Sequence, residues 1–581
     1  MAKSRSYDKR PSVVVPDAGH GAAVRGWAAV AERLGAAIGG GAAGVLTVDA
    51  YPGVDLDEIA AALGRALPDL AVFGVRDAMK EPAAIEAMLA RFLTTDRVFG
   101  YMAPFRMEEF FRPEGLAALR AAVREAAGRG PVAVIGVGAA LVTPGDVLVL
   151  ADMPRWEIQL RFRAGMPSWT CDNPGEDFLR KYKRGFFVEW RTADRHKLDL
   201  FDQADFFLDT TVRGDPRLAA GEAMRAAVAA TTRRPFRVVP FFDPGVWGGQ
   251  WMRREFELPA EAPNYAWGFD CVPEENSLLL DFGGVEVEIP AINVVLRHPK
   301  ALLGERVFAR FGAEFPIRFD FLDTIGGGNL SLQVHPTTDY IRQAFGMSYT
   351  QDESYYMLEA GPDAAVYLGL KTGVAPDAFF AAVEEAHRPG GELDVEAFVN
   401  RWPARRHDHF SIPAGTVHCS GSDCLVLEIS ATPYIFTFKL WDWGRVGLDG
   451  VPRPLHVDHG RGVLDPERDT AWVERTVLGQ VRPVASGEGW REERTGLHEL
   501  EFIETRRHWF TAPVTHETGG SVHVVNLVEG ERATIESPTG AFAPVRFGFA
   551  ETVIVPAEVG AYRVVPDTAT QHATIRASVR L

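Results

Sequence analysis

Residues 328–336 read GNLSLQVHP, a run in which Gln333 and His335 stand two positions apart. In an extended strand successive side chains alternate between faces, so both are expected on one face, with Ser331 beside them. Eighteen residues beyond His335 comes Glu353, in QDESYYML (351–358), at the entry to another strand-like run. Further on, HFSIPAGTVHCSG (409–421) turns at Pro413, Ala414 and Gly415 and delivers His418 onto a strand. Two imidazoles, a carboxylate and an amide oxygen suit a borderline divalent ion, Zn²⁺ first, with Mn²⁺, Fe²⁺ or Co²⁺ as alternatives. Any one of these residues alone is more often structural. Their combination is what singles out this region.

The texture around this stretch is uniform. From about residue 235 short β-branched and aromatic runs are separated by Gly, Pro and Asp turns, as in SLLLDFGGVEVEIP (277–290), AAVYLGLKTG (364–373) and LVLEIS (425–430). Closely spaced short strands of this kind predict a β-sandwich or jelly roll. Residues 371–400 interrupt it with one helical insertion, and the strand-and-turn texture returns from about 486 to the end. Ahead of residue 235 the pattern differs. Ala-rich amphipathic stretches such as WAAVAERLGAAI (27–38) and GLAALRAAVREAAGRG (115–130) alternate with apolar runs at 45–51, 70–75, 131–137 and 146–153. That alternation predicts an α/β unit on a mainly parallel sheet. The expected plan is multidomain α/β plus β: residues 1–235, then 236–485 with the insertion at about 371–400, then a small β domain over 486–581.

A chain of 581 residues exceeds what one compact core holds. Its formal charge of −17, with no dense Lys/Arg cluster, argues against nucleic acid as the main partner. A phosphorylated small molecule remains compatible, because a few local cations override the global field. Cys171, Cys271, Cys419 and Cys424 are too scattered for a disulfide framework or a thiolate zinc site. The N-terminus starts basic but lacks an apolar core of the signal-peptide type, and no run approaches a membrane span. A cytoplasmic protein without a membrane partner is the expectation.

Within the first unit, VLTVDAYPGVD (45–55) and the segments 131–141 and 145–163 resemble strand segments of the uridine-kinase-like P-loop fold. The phosphate-binding motif GxxxxGK[ST] does not occur, and the glycine clusters at 19–21 and 39–44 lack its Lys and hydroxyl. Without them phosphoryl transfer loses most of its positioning and charge neutralisation. Asp49 is expected to cap a strand end, and the unit to act as a scaffold, a homo-oligomer surface or a ligand-sensing module.

The second half carries a more specific resemblance. QVHP, a glutamate before an aromatic strand, IPAGTVH, LVLEIS and WDWGR occur in the order seen in class I mannose-6-phosphate isomerases of the cupin superfamily, with VWGGQWM (246–252), ALLGE (301–305) and RPLHV (453–457) as further landmarks. The resemblance covers about 240–460, with a looser match of VEGERA (528–533) and VIVPAEVGAY (553–562) to a terminal cupin domain. It implies Gln333, His335, Glu353 and His418 as metal ligands, and interconversion of mannose 6-phosphate and fructose 6-phosphate through an enediolate. It also implies Glu428 as an acid/base or ligand-orienting carboxylate. Lys439 stands where the family has an arginine ahead of DWGR, keeping the charge without the planar fork. Arg445 and His456 are further candidate contacts. Two family lysines are missing: Asp320 stands near one, reversing the sign, and Gln351 replaces the other, with Arg318 or Arg342 as candidate compensations. Those losses keep two alternatives open, an isomerase or epimerase of another sugar and a non-catalytic sugar-binding metallo-cupin.

Overall fold

The computed structural model describes residues 7–16, 19, 21–39, 44–432, 435–496 and 501–581. The glycine clusters at 19–21 and 39–44 lie partly outside these residues. The chain forms two compact units. One comprises Ser12–Thr231 and Glu274–Arg297; the other comprises Thr232–Pro273 and His298–Leu581 with residues 7–11.

The first unit is built on a seven-stranded sheet. In spatial order its strands are Ala23–Arg25, Arg217–Ala220, Phe206–Asp209, Val147–Asp152, Val45–Ala50, Val132–Gly136 and Ala71–Gly74. The last five run parallel and the first two pair antiparallel at one edge. Val45–Ala50 and Val147–Asp152 lie near the middle, so helices on either side leave both faces buried and the sequence reads as unbroken apolar runs. Helices Trp27–Ala37, Leu56–Ala66 and Pro113–Ala127 supply the amphipathic segments seen in the sequence.

One boundary differs from expectation. The hairpin of strands Ser277–Asp281 and Glu286–Pro290 belongs to this unit, where it pairs with Ser12–Val14 in a three-stranded sheet. A division at residue 235 assigned it to the second half. Its alternating apolar pattern specifies a strand but not the sheet that the strand joins.

The second unit contains two β-sandwiches. The first packs a six-stranded antiparallel sheet against a five-stranded one. The six strands are, in order, His409–Ile412, Glu353–Ala360, Cys424–Ala431, Ile317–Asp323, Trp267–Cys271 and Phe241–Asp243. The five are Val399–Pro403, Ala365–Leu370, His418–Ser420, Leu332–Val334 and Phe438–Trp441. Helices Pro376–Ala386 and Val395–Phe398 form the insertion. The second sandwich, of six and four strands, begins at Arg482–Gly487 and ends at His572–Val579. Its apolar interior gathers Phe510, Val525, Ile535, Phe547 and Val564.

Candidate metal centre

Strand register brings the site together. On the five-stranded sheet Gln333 pairs with His418 on one side and with Lys439 on the other, so three polar side chains share one level. His335 follows two positions on. On the six-stranded sheet Glu353 pairs with Ser430, which pairs with Arg318. One step along, Tyr355 pairs with Glu428, which pairs with Asp320. The two inner faces meet where Glu353 lies between the imidazoles: Oε2 is 2.9 Å from His335 Nε2 and Oε1 is 2.8 Å from His418 Nε2. All three residues are fully buried.

Each imidazole is oriented from behind. His335 Nδ1 lies 3.1 Å from the carbonyl of Phe436, and His418 Nδ1 lies 2.8 Å from the carbonyl of Thr416. A carbonyl only accepts, so both Nδ1 atoms donate to the backbone, and each Nε2 faces the Glu353 carboxylate across a gap that a proton or a cation must fill. A cation there takes the place of both protons, and backbone-anchored imidazoles of this kind are how proteins orient metal ligands. One ligand atom from each of His335, Glu353 and His418 lies within 4.8 Å of the others, compatible with metal–ligand bonds of about 2 Å. Gln333 completes the group, its amide Nε2 3.3 Å from His418 Nε2; exchanging the amide O and N would turn an oxygen to the same point. The donor set therefore fits a borderline divalent ion. Burial opposes charge on Glu353, but His335 and His418, when their Nε2 atoms carry protons, hold its carboxyl well below the usual carboxylate range.

The other expected residues divide into two groups. Glu428 is in the site. Burial, with Asp320 and Glu353 adding to it, pushes its carboxyl well above the usual range, and Arg318 opposes the shift. Arg318 lies 3.4 Å from Glu428 Oε1 and 2.8 Å from Asp320 Oδ2, and Ser430 donates to Glu428 at 3.0 Å. Of the two candidate compensating arginines, Arg318 is thus inside the sandwich. Arg342 is on the surface beside Asp339. Gln351 donates to Glu353 Oε2 at 3.0 Å, so the position of the missing lysine still contacts the ligand carboxylate. Lys439 shares the level of Gln333, and its backbone exchanges contacts with His456, N to Nδ1 at 3.3 Å and O from N at 2.8 Å.

Arg445 and Ser331 are not brought to the ligands. Arg445 contacts Asp442 at 2.5 Å and the carbonyl of Asn329 at 2.8 Å. Ser331 donates to Asp442 Oδ1 at 3.0 Å, and the register shift beside it places the extra residue, Leu440, on the strand that pairs with Leu332 and Gln333. Asp320 and Tyr355 carried no signal that reading a single strand could reveal. They enter the site because their strands pair with the one bearing Glu428.

In the first unit Asp49 does more than cap a strand. Its Oδ2 accepts from Ala140 N at 2.8 Å and lies 2.9 Å from His196 Nε2. Nearby, buried Lys197 contacts Asp152 at 3.0 Å, and Asp194 contacts Arg155 at 2.5 Å and Tyr51 at 3.0 Å.

Comparison with known proteins follows the same division. Residues 26–233 match a family described as "Domain of unknown function (DUF8485)". The chain is 26% identical over 244 residues to a mannose-6-phosphate isomerase of Streptococcus mutans, covering 40% of this chain and 71% of that one. It is 25% identical over 251 residues to the mannose-6-phosphate isomerase ManA of Bacillus subtilis, covering 42% and 73%. Among solved structures, the mannose 6-phosphate isomerase from Bacillus subtilis superposes with a TM-score of 0.48 at 18% identity, over 59% of this chain and 99% of that one. About two-fifths of the chain thus aligns with most of the length of proteins named as isomerases.

Proposed function

We propose that the first sandwich of the second unit is a metal-dependent aldose–ketose isomerase that interconverts mannose 6-phosphate and fructose 6-phosphate. The observation that carries this reading is the convergence of His335, Glu353 and His418 at the level where Glu428 and Lys439 also face inward. The relatives named as mannose-6-phosphate isomerases support the choice of substrate.

Gln333, His335, Glu353 and His418 would hold the ion. Bound there, it supplies Lewis acidity and a template for the sugar oxygens. The remaining work belongs to the chain. Isomerisation moves a proton between C2 and C1, which needs a group that both holds and yields one near neutral pH. Glu428, with its carboxyl raised by burial, retains its proton where an exposed glutamate has lost it. Its position beside the cluster suits transfer through a carboxyl oxygen. Lys439 contributes a cation at the level of Gln333, where negative charge develops on the sugar oxygens. The two sheets enclose the ligands and exclude bulk water from them.

Asp320 and Gln351 favour a second reading, an isomerase of another sugar. A buried carboxylate and a neutral amide stand where the family has two lysines, which weakens the case for a dianionic substrate. A coupled assay separates the readings. Zinc-loaded protein is expected to form fructose 6-phosphate from mannose 6-phosphate, with activity lost on chelation and in His418→Ala. Stoichiometric metal without turnover of the phosphosugar would overturn the phosphomannose assignment.

A further inference from the structure

The five-stranded sheet has a second face. His418 points inward, so its neighbour Cys419 points outward, as does Tyr367, which pairs with Cys419 in register. Trp443 packs against Tyr367 on that outer side, ring centroids 5.9 Å apart. Here the loop after strand Phe438–Trp441 and the segment between helices Pro376–Ala386 and Val395–Phe398 line a cavity of about 680 Å³. That is the size of a site for a small metabolite.

The cavity has the parts of an anion site with a ring platform. Asp442 is buried and receives two guanidinium groups, Arg445 at 2.5 Å and Arg453 at 2.8 Å, besides the Ser331 hydroxyl at 3.0 Å. One carboxylate facing two guanidinium groups leaves a positive excess, and the other charged lining residues, Arg388 and Glu392, cancel. Burial holds the Arg453 guanidinium below its ordinary value; Asp442 opposes this and the like charge of Arg445 adds to it. An incoming anion relieves that repulsion, and paired arginines match the geometry of phosphate oxygens. The aromatic part is equally defined. Trp441 is stacked on His387, centroids 6.0 Å apart and planes 15° apart. Trp443 is half-buried and holds a left-handed backbone, φ 55°, secured by its indole N–H donating to the carbonyl of Leu330 at 2.6 Å. A non-glycine residue held in that conformation is a feature that concentrates at ligand sites.

We propose that this cavity binds a ring-bearing phosphomonoester, its phosphate on Arg445 and Arg453 and its ring against Trp443, as an effector of the site on the inner face. The route between the two is short. Strand Phe438–Trp441 presents Lys439 to the inner face and Trp441 to the cavity. The loop bearing Arg453 returns three residues later as His456, which is hydrogen-bonded to the Lys439 backbone on both sides. The binding claim stands apart from the isomerase reading, because the cavity shares no residue with the metal cluster.

Calorimetric titration of the metal-loaded full chain with glucose 6-phosphate tests it, with inorganic phosphate as the ringless control. A saturable event, tighter for glucose 6-phosphate than for phosphate, is expected to persist in Glu353→Gln, where the metal-cluster site is disabled. Arg453→Gln is expected to weaken it tenfold or more, whereas Trp443→Ala removes the preference for the sugar over inorganic phosphate. The thermal melts of both variants report whether the loop remains folded. No saturable binding, or binding lost in Glu353→Gln and kept in Arg453→Gln, would overturn the assignment.

Discussion

At the scale of single residues, the site drives two neighbouring carboxyls in opposite directions. Glu353 is held ionised by two imidazoles, while Glu428, on the neighbouring strand, is pushed towards its protonated form. Two neighbouring buried carboxyls driven in opposite directions are suited to different tasks. Glu428→Gln keeps the shape and removes the exchangeable proton. It is expected to lower kcat by about 100-fold or more, the usual contribution of a positioned acid/base. Metal content measured by elemental analysis should be unchanged. Loss of metal along with activity would instead make Glu428 a positioning residue for the ligands. Lys439→Met tests the cation. A fall in kcat/KM of about 100-fold, substantially restored by Lys439→Arg, is expected if its charge meets charge developing on the substrate. A variant whose activity matches the native protein would remove Lys439 from the chemistry.

At the scale of elements, the turn between strands His409–Ile412 and His418–Ser420 ties the ligands together. Gly415 in this turn has φ 90°, and its amide donates to the carbonyl of His335 at 2.9 Å. An added Cβ would meet the Val463 carbonyl at 3.1 Å. Gly415→Ala is therefore expected to cost about 1–2 kcal/mol in stability from the left-handed backbone alone. It should also weaken metal binding, because His335 and His418 are placed by the two ends of the same contact. Competition with a fluorescent chelator would show this, and unchanged affinity would confine the turn to stability. Period-two spacing was enough to put Gln333 and His335 on one face, and the turn residues before His418 were plain. The inner face of the opposite sheet was not legible. Arg318 and Asp320 lie in IRFDFLD, where both faces of the strand are buried, so composition gives no inward direction. The hairpin 277–290 was readable as strands and misassigned as to sheet, since pairing across long sequence separation leaves no local signature.

At the scale of the whole chain, burial of ionisable groups outside the metal centre sets how stability responds to pH. His409 is buried between Ser354 and Thr495, with ring nitrogens 2.9 Å and 3.0 Å from their hydroxyls, and burial together with Arg507 lowers its imidazole to about 3. Asp323 accepts from the amides of Met252 and Ile325, yet burial raises its carboxyl to about 7. The two act in the same window with opposite signs. The folded state binds fewer protons at His409 than the unfolded chain does. Its contribution is complete above about pH 6.5 and is lost as pH falls towards 3. The folded state binds more protons at Asp323, whose contribution is complete below about pH 4 and is lost as pH rises through 7. Each group changes stability by up to about 1.4 kcal/mol per pH unit where its protonation differs between the two states. A pH profile of the native protein alone therefore hides both. Subtracting the urea stability of a variant from that of the native protein cancels every other titrating group. For His409→Asn the difference should shrink as pH falls from 6.5 to 4.5, because only the native protein takes a charge on unfolding. For Asp323→Asn the difference should shrink as pH rises over the same range, by the mirror argument. Slopes of the same sign in both variants would mean that burial does not govern these groups, since desolvation must move an acid and a base in opposite directions.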